Sequence, residues 1–439
     1  MTDHSADTDS AVTFVRSATL EDAPASVTQA VRVRVLDTLA AITAGYRQAG
    51  IDIVRNYAVD RFSGTSTAAT LLDGSGTKLH PEGATLANAT AANALDIDDG
   101  HREVKGHPAA VVVPAALAVA EAVDATVDAL LDAVYVGYEL GVRAGLAIHE
   151  IDGVYTGTGS WGAIGAGAAI ARLRGFTREQ TAHALGIAEY HAPRTPIMRG
   201  VEQPGMTKDG IGWGSYVGAV SAQLAESGFT GSGTVFDETD IDAVDSLGDV
   251  FHVTEGYLKP YPCCRWVQPG VAAALSLLET TDIDPTTIEA IRVFTFEEAT
   301  HLRTRTPDTP EAAQYSYPFP IAAALTRGRF TQEEHRPEAL ADSAIVALSN
   351  SVDIRVEEAL NERFPSECLA RIEIDTERET FASGVTRPPG ARERPLSDET
   401  RREKARRLVA PTLPRSAIDE TERHLRSDTS VATLLEPWR

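Results

Sequence analysis

Five lysines stand among the 40 basic side chains of this 439-residue chain: Lys78, Lys105, Lys208, Lys259 and Lys404. Lys208 lies in Gly-Met-Thr-Lys-Asp-Gly and Lys259 in Leu-Lys-Pro-Tyr-Pro-Cys-Cys-Arg. An ammonium is a compact charge with a tunable pKa, whereas a guanidinium stays protonated. Lysines kept at such positions in an arginine-rich chain point to chemistry on an anion. Lys208 precedes a run of small residues with helical character, and a helix start disfavours a cation unless an anion is also held there. Lys259, Tyr261 and Arg265 share a proline-stiffened segment and can converge on a carboxylate, the arginine in bidentate fashion. A rigid hinge explains that segment equally well, and sites between domains are common.

A second cluster spans Ala94 to Pro108 and carries Asp96, Asp98, Asp99, His101 and His107. Carboxylates beside imidazoles orient the rings and raise their pKa. A capped helix junction with solvated acids would use the same residues. A metal site is a further alternative, although the spacing matches no recognised metal motif. Ser316 and Tyr317 lie in Gln-Tyr-Ser-Tyr-Pro-Phe, where packing is as good an explanation as chemistry. The adjacent Cys263 and Cys264, with Cys368, make no disulfide framework, and buried filling explains them better than redox activity.

The elements that position these residues are mostly helical up to about residue 250. Apolar spacing predicts helices over 27–44 (capped by Ser26), 84–95, 109–123, 127–148, 162–173, 178–190 and 212–226. Pro108 suits the first turn of one of them. Alanine and glycine are frequent, which lets helix axes approach closely. Residues 1–10 read as a polar tail. After about 265 the pattern becomes α+β: a helix over 270–279, strands over 288–296, 371–375 and 380–385, and helical stretches near 321–325 and 337–348. A Pro-, Gly- and Arg-rich loop covers 386–398, and amphipathic helices near 399–409 and 421–425 return to the first domain.

The formal net charge of -23 repels nucleic acid and anionic membranes, so neither is an expected partner. Acid excess with arginine favoured over lysine reads as a surface adapted to high salt. No secretory leader and no membrane span is visible, and a soluble cytoplasmic protein is expected. No nucleotide-binding glycine loop and no nucleophile elbow appears.

Several segments in order resemble the MmgE/PrpD family: Ala94-Leu-Asp-Ile-Asp-Asp, His107-Pro108 with the Pro-Ala-Ala-Leu-Ala-Val-Ala-Glu helix, Tyr138-Glu-Leu-Gly-Val-Arg143, Met206-Thr-Lys208, Lys259-Pro-Tyr-Pro-Cys-Cys-Arg265 and Tyr315-Ser-Tyr-Pro. That family includes 2-methylcitrate dehydratase, cis-aconitate decarboxylase and iminodisuccinate epimerase. The resemblance implies a mainly α protein: a large all-helical domain (1–265) rejoined by the C-terminal helices (399–439), with a smaller α+β lid (266–398). It also implies a homodimer and no metal or other cofactor. Asp96, His107, Lys208, Lys259 and Tyr317 match catalytic positions. His101, Arg265, Thr156, Tyr261 and Ser316 are expected to bind substrate. Gly100 departs from the Thr or Ser of many members, Thr156 stands near a histidine of the decarboxylase branch, and Gln268 near a frequent histidine.

The expected activity is dehydration of a small di- or tricarboxylate, with 2-methylcitrate as substrate. Decarboxylation of cis-aconitate and epimerisation of a dicarboxylate are the alternatives within the family. A non-catalytic organic-acid-binding protein and a metal-dependent hydratase are the alternatives outside it.

Overall fold

The computed structural model describes residues 6–64 and 66–439. Helices α1 (Ala6–Ser17), α2 (Ala25–Gly45), α3 (Ala49–Phe62), α4 (Pro81–Ala92), α5 (Pro108–Ala122), α6 (Val127–Asp152), α7 (Thr158–Leu173), α8 (Arg178–His191), α9 (Ile197–Glu202) and α10 (Ile211–Glu226) build the first domain. A small antiparallel pair, β1 (Ala69–Thr70) and β2 (Lys78–Leu79), follows α3. Local chemistry starts these helices where expected. Pro108 occupies the first turn of α5, the Thr126 hydroxyl accepts from Ala129 N–H at α6, and Thr177 with Gln180 forms a capping box at α8. Helix α5 is buried continuously from Pro108 to Ala120, as a central helix must be.

Small residues set the packing distances. A Cβ on Gly214 of α10 would lie 2.4 Å from the Gly159 carbonyl oxygen, and one on Gly137 of α6 would lie 2.6 Å from that of Gly165. Helix α7 is therefore clamped between α6 and α10 at backbone contact.

The second domain holds α11 (Gln268–Thr280), β3 (Ile288–Thr295), α12 (Pro310–Gln314), α13 (Pro318–Arg327), α14 (Pro337–Leu340), α15 (Ser343–Asn350), β4 (Val352–Val356), α16 (Glu358–Asn361), β5 (Arg371–Thr376) and β6 (Thr380–Ala382). Its sheet runs β4-β3-β5-β6, with β3–β4 parallel and the other pairs antiparallel. Ile291, Val293, Ile372 and Ile374 are buried on one face, where α11 packs. Arg292 sits opposite Glu373 and pairs with Glu373 and Asp375 on the other face.

Helices α17 (Asp398–Val409), α18 (Ser416–His424) and α19 (Val431–Leu434) return to the first domain. Ala405, Leu408, Ile418 and Trp438 join its core. Lys404, buried on α17, donates to Asp37 Oδ1 at 2.7 Å and to the Ile97 carbonyl at 2.8 Å. The fold is mainly α with a smaller α+β domain. Among the described residues no helix is long and apolar enough to cross a membrane.

Some local expectations change. Residues 6–10 are helical, not tail, because Thr8, Ala11, Val12, Phe14 and Val15 are buried on one face of α1; residues 1–5 lie outside the described residues. Helix α2 begins at Ala25 after Pro24, so Ser26 lies inside its first turn. The stretch 337–348 breaks into two helices where Asp342 caps Ala344 N–H. Strand β4 (Val352-Asp-Ile-Arg-Val356) was not expected: it alternates apolar and charged residues, but over five positions only, and it lies largely exposed at the sheet edge.

Candidate active site

A cavity of about 750 Å3 opens between the two domains. Asp96, His101, Lys105, His107 and Asp209 line it from the helical domain and Lys259 and Arg265 from the junction segment. Tyr315, Glu297, Glu298, Phe364 and Cys368 face them from the second domain.

Its floor is the loop between α4 and α5. Asp96, Lys105 and, ahead of α10, Lys208 adopt positive φ of 52°, 50° and 46°. Such conformations are costly for residues with side chains and persist only where the surroundings enforce them. Asp96 is almost fully buried. Its Oδ2 lies 2.9 Å from Lys259 Nζ, and its Oδ1 lies 3.5 Å from Lys208 Nζ and 3.8 Å from His107 Nε2. Lys259 Nζ also donates to the Asp96 carbonyl at 3.1 Å. Burial alone would raise the Asp96 pKa; Lys208, Lys259 and His107 together outweigh it and hold the carboxyl well below its usual range.

The ring of His107 is held on both sides. Nδ1 lies 2.7 Å from the Asp99 carbonyl and 3.1 Å from Asp98 Oδ2, while Nε2 faces Asp96 and, at 3.8 Å, Asp209 Oδ2. Burial opposes the ring's charge, but Asp98 and then Asp96 win and raise its pKa to about 9. Asn93 donates to both oxygens of Asp98, fixing that carboxylate in turn. Asp99, raised by burial to about 6, accepts from Ala109 N–H and the Tyr138 hydroxyl and pairs with Arg34. Burial, assisted by Asp96, raises the Asp209 pKa.

Five of the ten expected site residues share the cavity wall: Asp96, His101, His107, Lys259 and Arg265. Lys208 stands behind Asp96 instead. Its ammonium donates to Gln314 Oε1 at 2.5 Å and lies over the Tyr315 ring. The other four lie off the wall. The Tyr317 ring packs against Gly270, with its hydroxyl toward Thr295, and burial pushes its pKa up. Ser316 accepts from Phe319 N–H and donates to the Thr304 carbonyl, a turn contact at the start of α13. Tyr261 lines a separate surface hollow beside Glu403 and Arg407. Thr156 points at His149 Nε2 and Ser160.

Sequence reasoning missed Asp209, Gln314, Tyr315 and Lys105. Asp209 directly follows Lys208. Gln314 and Tyr315 are the two residues before Ser316, and the turn into α13 aims them at the site. Gln314 ties Lys208 to the Asp96 loop, since its amide donates to the Ala94 carbonyl at 2.9 Å. Gln268 donates to the carbonyls of Tyr261 and Cys263 and so holds the Lys259–Arg265 segment. Cys263, Cys264 and Cys368 are free and buried, and burial raises each thiol pKa.

Among the described residues two groups have metal-ligand spacing: Asp96, Asp98 and His107, and His101, Glu103 and His252. A cation in the first would meet Lys208, Lys259 and a protonated His107, so that donor set does not fit one. In the second, burial lowers the His101 pKa to about 3 and that of His252 to about 4; Arg34 and Arg143 add to the drop and would oppose a metal ion too.

Comparison with known proteins shows the family. Residues 10–246 match the MmgE/PrpD N-terminal domain and residues 261–427 the MmgE/PrpD C-terminal domain. A cis-aconitate decarboxylase-like protein of Aspergillus oryzae is 25% identical over 395 residues, covering 81% of this chain and 80% of its own. A cis-aconitate decarboxylase of Aspergillus terreus is 26% identical over 285 residues, covering 58% of this chain and 57% of its own. With both domain families matched in order across most of its length, the chain belongs to the MmgE/PrpD family.

Proposed function

We propose that this protein is a lyase that dehydrates a small di- or tricarboxylate without a metal or organic cofactor, taking 2-methylcitrate to 2-methyl-cis-aconitate. The observation that carries this reading is the placement of His107 between Asp98 and Asp96, with Lys259 paired to Asp96, on the wall of the cavity between the domains. Elimination of water needs a base for the proton α to a carboxylate and an acid for the departing hydroxyl. Asp209 takes the proton from carbon. His107 gives its Nε2 proton to the hydroxyl, which leaves as water. Lys259 offsets the charge that builds on the substrate carboxylate. Asp209 Oδ2 and His107 Nε2 are 3.8 Å apart, beyond direct hydrogen-bond reach, so the proton gained by Asp209 returns to His107 through one water and the site resets. Lys208 acts through Asp96 as a positioning residue.

A second reading has specific support, because the relatives above are named for cis-aconitate decarboxylation. Loss of carbon dioxide leaves a carbanion that needs one proton, which His107 can supply. His107→Gln separates catalysis from binding in both readings. Its kcat should fall ~10²–10⁴-fold while substrate still protects the fold from heat. Wild-type turnover in that variant would contradict the assignment.

Self-association as a homodimer belongs to the same proposal. Ile53, Tyr57, Met206 and Trp213 leave apolar surface exposed on α3 and around the start of α10. Light scattering at working concentration tests it, and a monomer would refute it.

A further inference from the structure

The outer part of the cavity holds two cations that make no contact ion pair among the described residues, although Glu393 acts on Arg265 and Glu103 on Lys105 from further away. Arg265 lies with its guanidinium 4.0 Å from the centre of the Tyr257 ring, and its Nη1 is shielded from solvent with no hydrogen-bond partner. Lys105 lies 5.3 Å from the centre of the Tyr155 ring. Among the described residues neither makes an ion pair. Their neighbour Arg102 does: it donates to the Ser366 carbonyl and to Glu393. The charges of Arg265 and Lys105 both act on the Cys368 thiol, which places them around one spot on the wall. Glu297 and Glu298 face the same cavity without pairing with either cation.

A half-buried guanidinium with a shielded, unbonded Nη1 and no contact ion pair costs the fold stability. This chain builds a support for that unfavourable group. A Cβ on Gly100 would lie 2.3 Å from Tyr257 Cζ, so only glycine there admits the ring on which Arg265 rests. Paired backbone hydrogen bonds between Gly100 and Tyr257, at 2.9 and 2.7 Å, lock the two together. Lys105 is in turn held at positive φ, with its stem against the wall.

We propose that Arg265 and Lys105 form a second carboxylate subsite, which holds the carboxyl group remote from the reacting carbon and selects tricarboxylates over dicarboxylates. This rests on the polycarboxylate reading of the site. The substrate supplies the contact carboxylate that neither cation has, and Tyr257 sets the plane in which the guanidinium meets it. Lys105 is thus a specificity residue outside the acid–base pair.

The test is calorimetric binding of propane-1,2,3-tricarboxylate and of glutarate to the wild type, Lys105→Met and Arg265→Met. The wild type should bind the tricarboxylate at least tenfold tighter than glutarate. Each variant should lose about tenfold or more of that affinity. Lys105→Met should raise KM for the substrate with kcat nearly unchanged, as loss of uniform binding does. Arg265→Met should unfold at or above the wild-type temperature without ligand, yet lose the ligand-induced rise. Lys105 is partly exposed and unpaired, so its variant keeps the test alive if Arg265→Met folds poorly. Wild-type tricarboxylate affinity in both variants, or equal binding of the two acids by the wild type, would overturn the subsite alone. No binding of either acid by the wild type would overturn the polycarboxylate reading and this inference with it.

Discussion

The two ends of the cavity are built on opposite terms. At the floor every charge is answered within the chain: Asp96 by Lys208 and Lys259, His107 by Asp98, Asp99 by Arg34. At the outer end Arg265 and Lys105 rest on aromatic rings and, among the described residues, make no contact ion pair. In the proposed reaction the floor is preorganised for proton transfer, where reorganisation would raise the barrier. The outer end is completed by what binds. Variants at the floor should therefore cost rate and stability, and variants at the outer end should cost affinity alone.

The largest effect expected on this contrast is at His107, where His107→Gln removes the proton donor and ~10²–10⁴ of the rate. Lys259 comes next. Breaking a buried ion pair by removing one partner costs about 3–5 kcal/mol, because it strands the other charge. Lys259→Met should lower the urea midpoint accordingly, and adding Asp96→Asn should recover much of the loss. No recovery in the double variant would show that the pair is not the unit holding the floor together.

Acidity sharpens the comparison further. The folded His107 pKa of about 9 lies above the unfolded value of about 6.5. The group's contribution to stability is then complete below pH 6.5 and lost as pH rises through 9. The rate should fall over the same upper limb, because the acid form disappears. A rate limb nearer pH 7, unmoved by Asp98→Asn, would contradict the arrangement at Nδ1.

The smallest effects concern the whole surface and the absence of a metal role. Molar potassium chloride should raise the unfolding temperature by screening the net charge of -23, more than an equal concentration of sucrose does. Exhaustive chelation should leave turnover unchanged. A loss restored by a divalent ion would move the account toward a metal-assisted hydratase.

Much of the fold was legible in the sequence because amphipathic and small-residue helices announce themselves by spacing. Helix α1 was not, since Asp7, Thr8, Asp9 and Ser10 look like tail until Val12 and Val15 are seen to bury. At the site, the Asp96–His107 cluster and the Lys259–Arg265 segment stood out by residue type. The aromatic segment misled by two positions: its polar residues were visible, but the turn into α13 aims Gln314 and Tyr315 inward and leaves Ser316 and Tyr317 to packing. Asp209 was hidden beside a more conspicuous lysine. The lack of a contact ion pair at Lys105 and Arg265 is a relation in space that no spacing encodes.

The most direct test of the central claim is a product-resolved assay of the purified protein in high-potassium buffer, with 2-methylcitrate and cis-aconitate in parallel. The account predicts an unsaturated tricarboxylate lighter than 2-methylcitrate by one water, formed after chelation and lost in His107→Gln. Release of carbon dioxide from cis-aconitate, with 2-methylcitrate untouched, would contradict dehydration and establish the decarboxylase reading in its place.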